Sequence, residues 1–125
     1  MSAPSTAAGA SDKTLLMVED DPAFSQMLRW ELEELGYELV VAHDCHEARE
    51  HCCSRRFPVV VLDLDLPDGD GLELAEELAR HCPGIKVIIC SGRHLRRVMV
   101  PDAESAIHAV LTKPVSITRL KQLLV

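Results

Sequence analysis

Five short apolar runs that alternate with segments of helical periodicity constrain the fold of this sequence more than any other feature. The runs show little polar alternation, which is typical of strands buried on both faces of a parallel sheet. Strands that alternate with helices predict right-handed βαβ units, and hence an α/β fold in which a doubly wound, five-stranded parallel sheet lies between two layers of helices. The candidate strands cover residues 14–18, 37–41, 59–62, 85–90 and 107–111.

The segments between the runs carry helix signals. Asp21, followed by a proline, is typical of an N-cap, and Gly36 is typical of a helix end. Asp44 and Glu47 have the spacing of a capping box, and Ser116 is expected to cap the last helix. The apolar stripes expected on four helices consist of Phe24, Leu28, Leu32 and Leu35; of Cys45, Ala48 and Cys52; of Leu72, Ala75, Leu78, Ala79 and Cys82; and of Ile117, Leu120 and Leu124.

Length and charge narrow the class of protein. A chain of 125 residues favours one domain, which we predict at residues 13–125 behind a flexible polar tail at residues 1–12. The net charge of −7 opposes direct binding to nucleic acid or to an anionic membrane. No apolar run approaches the roughly 20 residues that span a bilayer, and the start lacks a signal-peptide pattern. Five cysteines without paired spacing indicate reduced thiols, so a cytoplasmic location is predicted.

Polar residues fall where the predicted strands end. Glu19 and Asp20 follow the first strand, Asp63 follows the third, Ser91 the fourth and Lys113 the fifth. The carboxyl ends of parallel strands meet at one edge of a sheet, where such folds bind ligands. Carboxylates that cluster there repel one another by roughly 4 kcal/mol per pair at about 4 Å. A hard divalent cation relieves this repulsion, and so few oxygen ligands favour Mg²⁺ over Ca²⁺.

Five short motifs occur along the chain: Glu19-Asp20, Asp63-Leu64-Asp65-Leu66-Pro67, Asp70-Gly71, Ser91-Gly92 and Lys113-Pro114. In this order they resemble the receiver domain of two-component response regulators, and the resemblance covers residues 13–125. It implies a flavodoxin-like, three-layer α/β/α fold and a signalling function that phosphorylation controls.

The resemblance also implies roles for individual residues. Asp63 would accept a phosphoryl group from a sensor histidine kinase or a histidine phosphotransfer protein. Asp20, Asp63 and the backbone carbonyl of Asp65 would hold Mg²⁺, with Glu19 acting through water. The domain would assist its own phosphotransfer and dephosphorylation without being an enzyme. An output domain or a partner protein would then receive the signal.

The remaining implied roles concern the phosphoryl group. The Lys113 ammonium would neutralise its charge, and the Ser91 hydroxyl would move towards it and carry the signal outward. Pro114 resembles the family's cis-peptide position. Two departures from the family pattern stand out: Val110 replaces an aromatic residue on the fifth strand, and Pro101 falls inside the expected fourth helix.

Two alternatives remain beside this interpretation. The sequence Asp63-Leu64-Asp65 also resembles the nucleophile motif of haloacid-dehalogenase-like phosphatases, although those enzymes carry it at the first strand. A receiver-like module that acts by contact alone, without phosphorylation, is the second alternative. The presence of Glu19 and Lys113 together with Asp63 disfavours a degenerate pocket.

Overall fold

The sheet is all-parallel, and its strands alternate with helices. The structure, a computed structural model, describes residues 13–92 and 107–124. In chain order the described elements are β1 (Thr14–Val18), α1 (Pro22–Glu33), β2 (Glu38–Ala42), α2 (Cys45–Ser54), β3 (Val59–Asp63), β4 (Asp65–Leu66), β5 (Gly69–Asp70), α3 (Gly71–His81), β6 (Lys86–Ser91), β7 (Ile107–Thr112) and α4 (Ile117–Leu124). Five strands pair in the order β2-β1-β3-β6-β7, which is the flavodoxin-like order, so the predicted architecture is confirmed.

Alternate residues of the central strand build the two faces of this sheet. Val60 and Leu62 of β3 belong to a core formed with α2 and α3, whereas Val59 and Val61 belong to a core formed with α1 and α4. All five residues of β3 are therefore buried, which explains the absence of polar alternation in its sequence. The molecule has three layers, with two helices described on each face.

Helix ends follow the sequence signals closely. The Asp21 carboxylate accepts hydrogen bonds from the backbone N–H groups of Ala23 and Phe24 and so caps α1. Ser116 caps α4 by accepting from the N–H of Arg119 at 3.2 Å. The capping pair of α2 is shifted by one residue, because Glu47 accepts from the N–H of His43 and not from that of Asp44.

Two predicted apolar stripes need correction. Leu35 is 43% exposed because α1 ends at Glu33 and the chain turns away at Gly36. In α3 the fully buried leucine is Leu74, which the predicted stripe omitted, whereas Leu72 is only partly buried.

The strand boundaries also differ slightly from the apolar runs. The other four strands of the five-stranded sheet each end one residue later than predicted, and β2 and β6 also begin one residue later. At the ends of β3, β6 and β7 the added residue is polar, namely Asp63, Ser91 and Thr112, and still belongs to the pairing. The short antiparallel β4–β5 ribbon was not predicted. The expected tail at residues 1–12 and the expected fourth helix around Pro101 lie outside the described residues. No helix within the described residues is long and apolar enough to cross a membrane.

Candidate functional site

The ends of four neighbouring strands bring together the side chains that the sequence marked. Asp63 ends β3 and lies in register with Cys90 of β6, so Ser91 follows one residue further along the adjacent strand. Ser91 in turn accepts a hydrogen bond, through its backbone carbonyl, from the backbone N–H of Lys113 at 2.8 Å. This bond fixes the start of the loop after β7 against the end of β6. The Lys113–Pro114 peptide bond is cis, as expected.

Three carboxylates meet at this edge of the sheet. Glu19, Asp20 and Asp63 each offer an oxygen, and these atoms lie within 4.8 Å of one another. Glu19 and Asp63 are only 2% and 4% exposed, whereas Asp20 faces solvent. The Glu19 carboxylate accepts from the backbone N–H of Asp21 at 3.2 Å. The Asp63 carboxylate accepts from the N–H of Asp65 at 3.1 Å.

One ammonium group joins the two buried carboxylates. Lys113 Nζ donates to Glu19 Oε1 at 3.1 Å and to Asp63 Oδ2 at 3.3 Å. Burial raises the pKa of Glu19, the hydrogen bond from Lys113 opposes this shift, and the charge of Asp63 adds to it. Partial burial disfavours the charge of Lys113, yet the two carboxylates raise its pKa above the ordinary value. The site therefore keeps a protonated lysine beside Asp63.

The charges of this cluster do not balance within the described residues that form it. Three carboxylates stand against one ammonium, and two of the carboxylates are buried. Uncompensated charge of this kind is costly in a poorly solvated position. The oxygen donor set and the excess negative charge fit a hard divalent cation such as Mg²⁺. A cleft of about 430 Å³, lined by Asp20 and Asp65 among others, opens beside the cluster.

A close backbone approach fixes the loop that follows Asp63. A β-carbon on Gly71 would lie 2.5 Å from the carbonyl oxygen of Asp63 and 2.6 Å from Leu64 Cα. The N–H of Gly71 donates to the carbonyl of Leu64 at 3.1 Å. Because only a glycine fits here, the start of α3 rests directly on the residue that carries the central carboxylate.

The sequence did not indicate every contributor to this site. The ring of Phe24 lies 5.3 Å from Lys113 Nζ, where its face attracts the ammonium group. Phe24 was predicted only as part of the apolar stripe of α1. Asp68 lies in the turn between β4 and β5, and its carboxylate accepts from the N–H groups of Cys45 and His46 at the start of α2. Both contacts join distant parts of the chain, and local spacing carries no signal for them.

Comparison with known proteins identifies the family. The response regulator receiver domain family matches residues 15–125. The KDP operon transcriptional regulatory protein KdpE of Escherichia coli (strain K12) is 31% identical over 107 residues, which are 86% of this chain and 47% of that protein. The chain spans about half the length, or less, of the curated relatives it matches.

Two solved structures are also similar. The response regulator protein TrrA of Thermotoga maritima, solved in complex with Mg(2+)-BeF, has a TM-score of 0.75 and 31% identity, and the match covers 88% of this chain and 94% of that one. A response regulator protein from Burkholderia pseudomallei, solved with a phosphorylated aspartic acid, calcium ion and citrate, has a TM-score of 0.81 and 25% identity, and the match covers 90% of this chain and 66% of that one.

These matches decide between the interpretations of Asp63-Leu64-Asp65. The motif begins at the end of β3, the third strand in the chain, and not at the first strand, where haloacid-dehalogenase-like phosphatases carry it. Asp63, Asp20 and Lys113 converge at one sheet edge, as the receiver resemblance implied. The chain therefore belongs to the response regulator receiver domain family, whose members signal through phosphorylation.

Proposed function

We propose that Asp63 is the phosphoacceptor of this receiver domain. The observation that carries the proposal is the Lys113 ammonium, which contacts the Asp63 carboxylate inside a cluster of three carboxylates. A carboxylate is a competent nucleophile for phosphoryl transfer. The Asp63 side chain lies at the carboxyl end of the central strand, which is the binding edge of such a sheet.

The proposed reaction transfers a phosphoryl group from a phosphohistidine to this carboxylate. An Asp63 oxygen attacks phosphorus, an O–P bond forms, and the N–P bond to the histidine breaks as the imidazole leaves. Lys113 holds its ammonium 3.3 Å from the Asp63 carboxylate, so its charge is already present where the phosphoryl oxygens arrive. The N–H of Asp65 holds the other Asp63 oxygen and thereby orients the nucleophile.

Four groups of the chain are proposed to hold Mg²⁺. They are the carboxylates of Glu19, Asp20 and Asp63 and the backbone carbonyl of Asp65, with Glu19 acting through water. When bound, the ion would neutralise negative charge on the carboxylates and on the incoming phosphoryl group. Among the residues that the structure describes, Lys113 alone forms ion pairs with the two buried carboxylates.

Ser91 is proposed to read the phosphorylated state. It is 1% exposed and is the last residue of β6, and its carbonyl is tied to Lys113. Movement of its hydroxyl towards a phosphoryl oxygen would pull on the segment that follows Gly92. The same pocket is proposed to admit water for dephosphorylation, because Asp20 and the adjoining cleft face solvent.

The partners follow from the family. A sensor histidine kinase or a histidine phosphotransfer protein is proposed as the phosphoryl donor, and an output domain or partner protein as the receiver of the signal. The net charge of −7 supports the absence of direct nucleic-acid and membrane contact by this domain. All five cysteines are free thiols, which supports a cytoplasmic location.

Phosphorylation with acetyl phosphate and Mg²⁺ tests the assignment. We expect one acid-labile acyl phosphate on the wild type, and none on Asp63→Asn, because the amide is a poor nucleophile. Asp70→Asn is the matched control: Asp70 lies on the same loop but caps α3 through one oxygen, which asparagine retains. Intact-protein mass spectrometry gives the readout. Equal labelling of Asp63→Asn and wild type would refute the assignment, and an unlabelled wild type would favour a module that acts by contact alone.

A further inference from the structure

Two carboxylates from different parts of the chain satisfy the first N–H groups of α2. Asp44 is the local N-cap and accepts from the N–H of Glu47 at 2.8 Å. Asp68, from the turn between β4 and β5, accepts from the N–H of Cys45 at 2.8 Å and from that of His46 at 3.2 Å. Helix N-terminal N–H groups commonly find a partner within their own segment. Here a residue 23 positions further along the chain supplies it.

The turn that contains Asp68 belongs to the ribbon beside the carboxylate cluster. In this ribbon Asp65 pairs with Asp70, and Leu66 pairs with Gly69. The ribbon also covers the first residue of α2, because a β-carbon on Gly69 would lie 3.1 Å from Cys45 Sγ. Asp68 thus fastens one end of the ribbon to α2, and the bond from Asp65 N–H to Asp63 fastens the other end to the site.

The environment of Cys45 agrees with a closed ribbon. The Cys45 side chain is 1% exposed. Burial raises its pKa to about 11, and the adjacent Asp68 carboxylate acts in the same direction. Cys45 is therefore an unreactive thiol while the ribbon stays in place, and its reactivity reports on whether the ribbon opens.

We propose that Asp68 is a positioning residue for Mg²⁺ binding, because it fastens the ribbon that carries the Asp65 carbonyl to the start of α2. This inference rests on the proposed function, in which the Asp65 carbonyl is a ligand. Asp68 itself touches neither the ion nor the phosphoryl group. If closure of the ribbon favours Mg²⁺ binding, then Mg²⁺ binding must favour closure of the ribbon to the same extent. Mg²⁺ therefore holds the ribbon over Cys45.

Mg²⁺ titration calorimetry on four folded proteins tests the proposal. We expect Asp68→Ala to bind Mg²⁺ about tenfold more weakly than the wild type, the lower end of the effect seen when groups behind metal ligands are removed. Asp68→Asn loses the charge but keeps an acceptor for Cys45 N–H, so it should recover most of the affinity. Asp44→Ala removes a charge and a cap from the same helix end without touching the ribbon, and it should bind within twofold of the wild type.

A merely structural role for Asp68 gives a different pattern. In that case Asp68→Ala and Asp44→Ala lower the unfolding temperature to similar extents, and both retain wild-type affinity for Mg²⁺. If Asp68 acted only by attracting the cation with its charge, Asp68→Asn would instead bind Mg²⁺ as weakly as Asp68→Ala. Either pattern overturns the proposal.

Alkylation of the wild type provides a test that needs no variant. We expect Mg²⁺ to slow iodoacetamide labelling of Cys45 at least threefold more than it slows labelling of Cys82, a partly buried thiol at the C-terminal end of α3, away from the ribbon. Peptide mass spectrometry resolves the two thiols. Calorimetric Mg²⁺ binding without this difference overturns the positioning role and leaves the proposed function intact. A wild type that binds no Mg²⁺ overturns both.

Discussion

Gly71 shows how one hydrogen atom in place of a methyl group determines the position of the site. The backbone of α3 lies so close to Asp63 and Leu64 that a β-carbon has no room, although Gly71 does not have a positive φ. The clash is with main-chain atoms, so no rotamer change relieves it. The position of Asp63 thus depends on a residue that contributes no side chain.

We therefore expect Gly71→Ala to lower the free energy of unfolding by about 1–3 kcal/mol, the range found for overpacking. Urea denaturation followed by circular dichroism measures it. The variant should also lose acetyl phosphate labelling, since the displaced backbone carries Asp63. A Gly71→Ala protein with wild-type stability and labelling would show that α3 can move away at no cost.

The sequence predicted which charged residues form the site better than it predicted the contacts between them. Glu19, Asp63 and Lys113 follow apolar strands, and parallel topology forces strand ends to one edge. That rule does not give distances, so it could not show that one ammonium bridges two carboxylates. Phe24 was missed because a residue on an apolar stripe gives no sign that its ring also faces a cation.

Among the elements, the end of α1 shows what local sequence can determine. The N–H of Tyr37 donates to the carbonyl of Leu32, and the N–H of Gly36 donates to that of Glu33, which together form a Schellman motif. Gly36 has φ +90°, and nothing lies within 4 Å of the place a β-carbon would occupy. Here the glycine is needed for its backbone conformation alone.

Gly36→Ala should consequently cost about 1 kcal/mol of stability, through the strained φ. Gly36→Asn should recover part of that loss, because asparagine tolerates the left-handed region. Chemical denaturation of the three proteins gives the ranking. Gly71→Asn, by contrast, should be at least as unstable as Gly71→Ala, since the obstacle there is a clash. A Gly36→Asn variant less stable than Gly36→Ala would contradict the conformational explanation.

The elements that the sequence did not predict are those that depend on tertiary contacts. The β4–β5 ribbon has two residues in each strand, too few for any period to show. The Glu47 carboxylate accepts from the N–H of His43 and not from that of Asp44, and the local sequence does not distinguish between these neighbouring N–H groups. By contrast, β1 was predicted to the residue, because a buried strand bounded by polar residues has clear ends.

For the whole molecule, the excess negative charge of the cluster predicts that Mg²⁺ stabilises the fold. A ligand that binds only the native state adds about 2.7 kcal/mol at a hundred times its Kd. Thermal melts in Mg²⁺ and in chelator measure the effect. Asp20→Ala should abolish the response, and in chelator it should melt no lower than the wild type, because it removes one of three repelling carboxylates. Identical wild-type melts in both conditions would contradict the proposed ion site.

The hydrogen bond between the backbone of Lys113 and Ser91 has a consequence for biosynthesis. The groups at the site come from positions 19, 63, 91 and 113, so the lysine is the last of them to leave the ribosome. In the folded domain its backbone is held in place by the pairing of β7 with β6 and by the hydrogen bond to Ser91. Chains fold as they are made, beginning with the N-terminal part. A nascent chain therefore exposes an acidic pocket without its ammonium, and we expect it to be unable to take up a signal before synthesis has passed residue 113.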